Sequence, residues 1–97
     1  MKILALEKEH DGITAEDFAR YAEDEARHVW RLYQNEIIRE IYFRADEKSA
    51  VILLECKNMD EAKQLLSEFP FVKNGLIFFE MIPLAPYPGF ERLFKKP

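Results

Sequence analysis

Apolar runs alternate with stretches of helical periodicity along the chain. Runs rich in β-branched and aromatic residues predict strands at 2–8, 37–44, 50–56 and 76–82. A long helix is predicted from about Ala15 to Asn35, because Thr14 and Asp17 precede its apolar stripe with the spacing of a capping box. A second such signature, Asn58 with Glu61, predicts a short helix that runs to about Phe69 and is ended by Pro70.

The order of these elements, β-α-β-β-α-β, is typical of the ferredoxin-like α+β fold. This fold has a four-stranded antiparallel sheet with both helices on one face. We expect a single domain over residues 1–97, with a core at 1–82 and a C-terminal tail at 83–97. The tail holds four prolines, so it is predicted to be extended rather than helical and to lie at an interface.

Three of the predicted strands are apolar on both faces, at 3–6, 50–54 and 76–79. Two helices cover only one face, whereas a monomeric sheet of this kind normally has a polar second face. The sequence therefore predicts a homodimer or higher homo-oligomer that forms through the open sheet face. The alternative is that the aromatic tail folds back over this face.

One carboxylate of the first helix lies where apolar residues are expected. At about 100° per residue, Glu25 falls in the middle of the apolar stripe, while the other acids of this helix fall on the solvent side. The stripe consists of Phe18, Tyr21, Ala22, Val29, Leu32 and Tyr33. Because an ionised carboxylate is costly to bury alone, Glu25 must be paired, protonated or next to a cavity.

Arg39 is the candidate partner of Glu25. It alternates with Ile37, Ile41 and Phe43 on the second strand, although one strand cannot show which of its faces meets the helices. If Arg39 faces them, the two charges would meet in a polar pocket suited to proton transfer on an anionic substrate. The alternatives are a structural buried ion pair, or a glutamate whose side chain extends to the edge of the helix and reaches water. The predicted pocket-lining residues are Tyr21, His28, Trp30, Tyr33 and Tyr42, although the position of His28 at the stripe edge favours a surface ion pair over a role in the site.

Composition excludes several classes of function. The 14 Lys and Arg against 18 Asp and Glu give a net charge of -4, which disfavours nucleic-acid and anionic-membrane binding. One cysteine and two histidines exclude a disulfide framework, a Cys-rich zinc site and a three-histidine metal centre, so no metal is expected. With three glycines the chain has no Gly-rich loop to bind the phosphates of a nucleotide, and no cofactor is expected. The first apolar stretch is interrupted at Glu7 and Lys8, too early for a signal peptide or a membrane span, which favours a cytoplasmic protein.

Several segments resemble the muconolactone delta-isomerase family of the dimeric α+β-barrel superfamily. They are Asp24-Glu25 through Leu32 to Ile38-Arg39, Asn58-Met59-Asp60-Glu61-Ala62, Phe69-Pro70-Phe71 and Phe79-Glu80-Met81-Ile82-Pro83-Leu84. The resemblance implies a subunit whose sheet packs on a partner's sheet, with a pocket between helices and sheet. It also implies a proton shift on an unsaturated lactone that carries a carboxylate, without a cofactor, in which Glu25 transfers the proton and Arg39 anchors the substrate.

The chain departs from that family near the pocket. Ala22 and Ala26 stand where the isomerases have lysines, and Ile38-Arg39-Glu40-Ile41-Tyr42 replaces a Trp-rich strand. The sequence thus supports an isomerase-like enzyme acting on a small unsaturated lactone or organic acid. The first alternative is a non-catalytic barrel that binds a small hydrophobic ligand or serves as an assembly module. A cofactor-free monooxygenase on the same fold is a third hypothesis.

Overall fold

The computed structural model describes residues 1–95 and contains the predicted elements in the predicted order. The strands are β1 (Lys2–Glu9), β2 (Ile38–Phe43), β3 (Ala50–Glu55) and β4 (Ile77–Leu84). The helices are α1 (Ala15–Gln34), α2 (Met59–Ser67) and α3 (Pro70–Lys73), and a 3-10 helix spans Pro88–Leu93.

The four strands form one antiparallel sheet in the order β2-β3-β1-β4. The core lies between this sheet and the helices, where Ile3, Ile52 and Leu54 of the sheet are buried with Leu32 of α1 and Leu66 of α2. The predicted α+β class, the antiparallel four-stranded sheet and the ferredoxin-like order are therefore confirmed.

The capping box predicted for α1 is formed. Thr14 Oγ1 accepts a hydrogen bond from the Asp17 backbone N–H at 3.2 Å, and Asp17 Oδ2 accepts one from the Thr14 N–H at 2.9 Å. At the other end, the N–H groups of Glu36 and Ile37 donate to the carbonyls of Tyr33 and Leu32, which is the Schellman arrangement. This turn places Glu36 in the left-handed region, at φ 63°.

We expect Glu36→Gly to stabilise the protein, because a left-handed conformation is unfavourable for a residue with a Cβ and glycine adopts it freely. The free energy of unfolding should rise by about 0.5–1 kcal/mol, because the greater entropy of glycine in the unfolded chain offsets part of the backbone strain that is removed. It is measured as a higher urea midpoint with an unchanged slope. Glu36→Ala, which keeps the Cβ, is the control, and an equal gain in both variants would contradict this account.

The C-terminal third of the chain differs from the prediction in three places. The second helix ends at Ser67, and the short α3 then begins at Pro70 instead of the chain simply leaving helical conformation. β4 continues to Leu84, two residues beyond the predicted core boundary at residue 82. The tail predicted to be extended contains the 3-10 helix, which proline opens at its first position. The last part of that tail prediction, residues 96 and 97, lies outside the described residues.

The sheet face that points away from the helices is largely apolar. We call it the open sheet face; its apolar members are Leu4, Leu6, Tyr42, Val51, Leu53, Phe78, Ile82 and Leu84. The tail does not cover it in the described structure, since Phe90, Leu93 and Phe94 are themselves 66%, 76% and 79% exposed. The alternative in which the tail folds back over the sheet is thus not the arrangement found. Within residues 1–95, no helix combines the length and the apolar character needed to cross a membrane.

Candidate functional site

A cavity of about 640 Å³ lies between α1 and the helix-facing side of the sheet. Its walls are mainly apolar and aromatic, including Phe18 of α1, Phe71 of α3 and Phe79 of β4. Charged side chains also line it, namely Glu7, Glu9, Glu25 and Lys48. We call it the Glu25 cavity. An apolar cavity of this size with a few polar groups is typical of a site for a small molecule.

Glu25 lies on the inner side of α1 and is half-buried, as the helical periodicity predicts. Its Oε1 accepts a hydrogen bond from the backbone N–H of Phe71 at 3.0 Å. Burial raises the pKa of the Glu25 carboxyl to about 7; the Phe71 N–H opposes this shift and the charge of Glu7 adds to it. A carboxyl group that titrates near neutral pH beside an apolar cavity is suited to take up and return a proton.

Glu7 is a second carboxylate of the same cavity and is not among the site residues predicted from the sequence. It follows Ile3 and Ala5 in the alternation of β1, so it lies on the helix-facing side of the sheet. Its Oε1 accepts a hydrogen bond from the backbone N–H of Ala50 at 2.8 Å. Burial raises the pKa of Glu7, with the Ala50 N–H lowering it and the charge of Glu9 raising it. Its position in that alternation was the signal available in the sequence.

Arg39 does not meet Glu25, so the predicted pairing is wrong. The ladder between β2 and β3 shifts by one residue between Ile38 and Glu40, which places Arg39 in a β-bulge. The bulge breaks the alternation from which Arg39 was assigned to the same face as Ile41. Arg39 is exposed, and its Nε donates to the backbone carbonyl of Glu36 at 2.6 Å.

Three of the predicted pocket aromatics surround Arg39 instead of Glu25. Trp30, Tyr33 and Tyr42 line a second cavity of about 600 Å³ together with Arg39. The rings of Trp30 and Tyr33 stack on each other with their centroids 5.9 Å apart. The two cavities have Ala26, Val29 and Ile41 in common as lining residues, so these aromatics flank the Glu25 cavity without lining it.

The other two predicted pocket residues, Tyr21 and His28, line neither cavity in the described part of the chain. His28 packs edge-on against Phe69 at 4.9 Å, and its Nε2 is buried without a hydrogen-bond partner there. Burial lowers the pKa of His28, and the charge of Arg31 lowers it further. Residues 1–95 hold no group of three or more side chains placed to bind a metal ion.

A solved structure shares this fold. It is 5-chloro-2-hydroxyhydroquinone dehydrochlorinase from Burkholderia phenoliruptrix AC1100 in complex with 2,5-dihydroxybenzoquinone, with a TM-score of 0.62 and 18% sequence identity. The match covers 88% of this chain and 94% of that chain. At this identity the likeness shows the fold alone. Neither the family models nor the curated proteins compared with the sequence give a match.

Proposed function

We propose that this protein catalyses a proton transfer on a small unsaturated ring compound without a cofactor. In this reaction the Glu25 carboxylate removes a proton from a carbon next to a carbonyl and returns it to another carbon of the ring. The observation that carries the proposal is a carboxyl group of pKa about 7 on the wall of a cavity lined mainly by apolar side chains.

The apolar walls favour a ring compound over a highly charged metabolite. Phe18, Phe71 and Phe79 offer ring faces and edges to an aromatic or quinonoid ligand. The dehydrochlorinase of the same fold was solved with a dihydroxylated quinone, which makes small cyclic carbonyl compounds the first class to test. Because Arg39 lies outside the Glu25 cavity, an anchoring role for this arginine has no support from the geometry.

The experiment is deuterium exchange in D2O with a panel of unsaturated lactones, cyclic enones and hydroxylated quinones, followed by proton NMR. We expect the protein to accelerate the exchange of a ring C–H at least about a hundredfold over buffer for one class of the panel. Exchange that equals the buffer rate for the whole panel would contradict the proposal and favour the non-catalytic ligand-binding alternative.

We also propose that two copies of the chain associate through the open sheet face, as in a dimeric α+β barrel. Leu4, Leu53 and Ile82 are neighbours across three strands of this face, and Tyr42 and Phe78 extend it with 62% and 47% of their surfaces exposed. A contiguous apolar surface of this kind is typical of an interface. The exposed aromatic residues of the tail, Phe90 and Phe94, are placed at that interface in the same proposal.

A further inference from the structure

Glu7 and Glu25 face the Glu25 cavity from two walls, the sheet and α1. Each carboxylate uses its Oε1 to accept a backbone N–H, from Ala50 at 2.8 Å and from Phe71 at 3.0 Å. In residues 1–95, neither carboxylate forms an ion pair, and neither Oε2 has a hydrogen-bond partner. Each of the two groups therefore retains one acceptor oxygen for a ligand.

We propose, resting on the proposed function, that Glu7 is a second ligand-binding residue of this cavity and that the ligand is an uncharged ring with two hydroxyl groups. One hydroxyl donates to Glu7 and the other to Glu25. Hydrogen bonds from a hydroxyl to an ionised carboxylate are short and stronger than those between neutral groups.

The charges of the cavity disfavour the carboxylate-bearing substrate expected from the sequence. Glu7, Glu9 and Glu25 contribute three acidic groups, against the single cationic side chain of Lys48 among the lining residues described. The carboxylate group of such a ligand would meet this excess of negative charge and has no hydrogen to donate to an ionised glutamate. A neutral diol supplies both donors and leaves its ring free to contact the aromatic wall.

A site with two acceptors also discriminates against rings that lack a hydroxyl. When a ring without the second hydroxyl fills the cavity, one half-buried carboxylate loses water and gains no partner. We therefore expect affinity to depend on the number of hydroxyl groups more than on the apolar area of the ring.

The test is isothermal titration of the full chain, under nitrogen, with the three benzenediols, 4-methoxyphenol, 1,4-dimethoxybenzene and 4-hydroxybenzoate. We expect at least one benzenediol to bind about tenfold or more tightly than both methyl ethers, and 4-hydroxybenzoate to bind more weakly than that diol. Binding of 4-hydroxybenzoate as tight as the best diol, equal affinity for the ethers, or no binding of any probe would overturn the proposal. This ligand series needs no variant, so it holds even if a substitution impairs folding.

Glu7→Gln, with Glu16→Gln as the control at an exposed position of α1 outside the cavity lining, assigns the effect to the residue. We expect Glu7→Gln to reduce the preference for the diol over 4-methoxyphenol by about tenfold and Glu16→Gln to leave it unchanged. An unchanged preference in Glu7→Gln would overturn the role of Glu7. Failure of the proposed function is distinct, because it appears as diol binding without any ring C–H exchange in the wild-type protein.

Discussion

Glu25→Gln is expected to reduce the rate of ring C–H exchange by about a hundredfold or more, because an amide cannot take up the proton. The overall structure should be preserved. Glutamine has nearly the same shape, and its side-chain carbonyl can still accept the Phe71 N–H that Glu25 Oε1 accepts at 3.0 Å. The measurement is the exchange assay on the compound that the wild-type protein accepts, with near-UV circular dichroism as the check on folding.

The same substitution should raise the melting temperature at about pH 8, because it removes a charge that the folded state holds unfavourably. The pKa of Glu25 is raised to about 7 from 4.5, so the uncharged carboxyl is favoured by folding. This contribution to stability is fully present below pH 4.5 and is lost as the pH rises through about 7. We expect the free energy of unfolding of the wild-type protein to fall by about 1–2 kcal/mol over this pH range, a value that allows for solvent screening of a half-buried group. In Glu25→Gln the free energy of unfolding should change less with pH.

Two comparisons isolate the role of Glu25. His28 acts with the opposite sign, since its lowered pKa reduces stability as the pH falls below about 6.5, but it is present in both proteins and cancels in the difference.

Arg39→Gln removes the arginine that the sequence paired with Glu25, and we expect it to retain exchange activity within about threefold, because Arg39 lies outside the Glu25 cavity. Equal losses in the two variants would contradict the assignment of the site to the Glu25 cavity.

Leu53→Lys is expected to dissociate the proposed homo-oligomer to monomers. Leu53 lies on the central strand β3, between Leu4 of β1 and Glu40 of β2, in the middle of the open sheet face. A lysine at this position would place an ammonium group in a mainly apolar interface, with Glu40 as its acidic cross-strand neighbour. Removing this charged group from water costs several kcal/mol, which weakens association by about a hundredfold or more. In the monomer the ammonium group reaches water, so folding should be retained.

Sedimentation equilibrium at micromolar concentration measures the effect. The wild-type chain should sediment as a dimer or a larger homo-oligomer and Leu53→Lys as a monomer. Gln64→Lys, which adds the same charge at an exposed position of α2, should sediment like the wild type. A wild-type chain that is monomeric throughout this range would show that the open sheet face is not a self-association surface.

The sequence predicted the fold and the inward position of Glu25 because both depend on long, regular patterns. The phase of α1 is set over 20 residues, so the apolar stripe locates Glu25 even though its neighbours in the chain are polar or small. The order of strands and helices follows in the same way from extended runs. In the helix and in the strands, many residues follow the same periodic pattern, so the prediction does not depend on any single residue.

The rest of the site depends on single-residue events that leave no periodic signal. One extra residue in β2 turns Arg39 away from its alternation set, and no composition rule marks that bulge. α3 has four residues, too few for a helical period. Its hydrogen bond to Glu25 comes from the backbone N–H of Phe71, a group that every residue except proline has, so the side-chain pattern cannot reveal it. Glu7 keeps the alternation of Ile3 and Ala5 in β1, but it also begins the polar end of an apolar run, so the sequence does not mark it as an inward-facing residue.

The hydrogen bond from Phe71 to Glu25 joins segments 46 residues apart in the chain. Phe71 is the second residue of α3, and N–H groups in the first turn of a helix have no partner within that helix. The side chain proposed to transfer a proton therefore also links α3 to α1 by a hydrogen bond, beside the edge-to-face packing of Phe18 and Phe71. Glu25→Gln removes the group that takes up the proton but keeps an acceptor for the Phe71 N–H. Glu25→Ala would remove both, so its effects on activity and on the packing of α3 could not be separated.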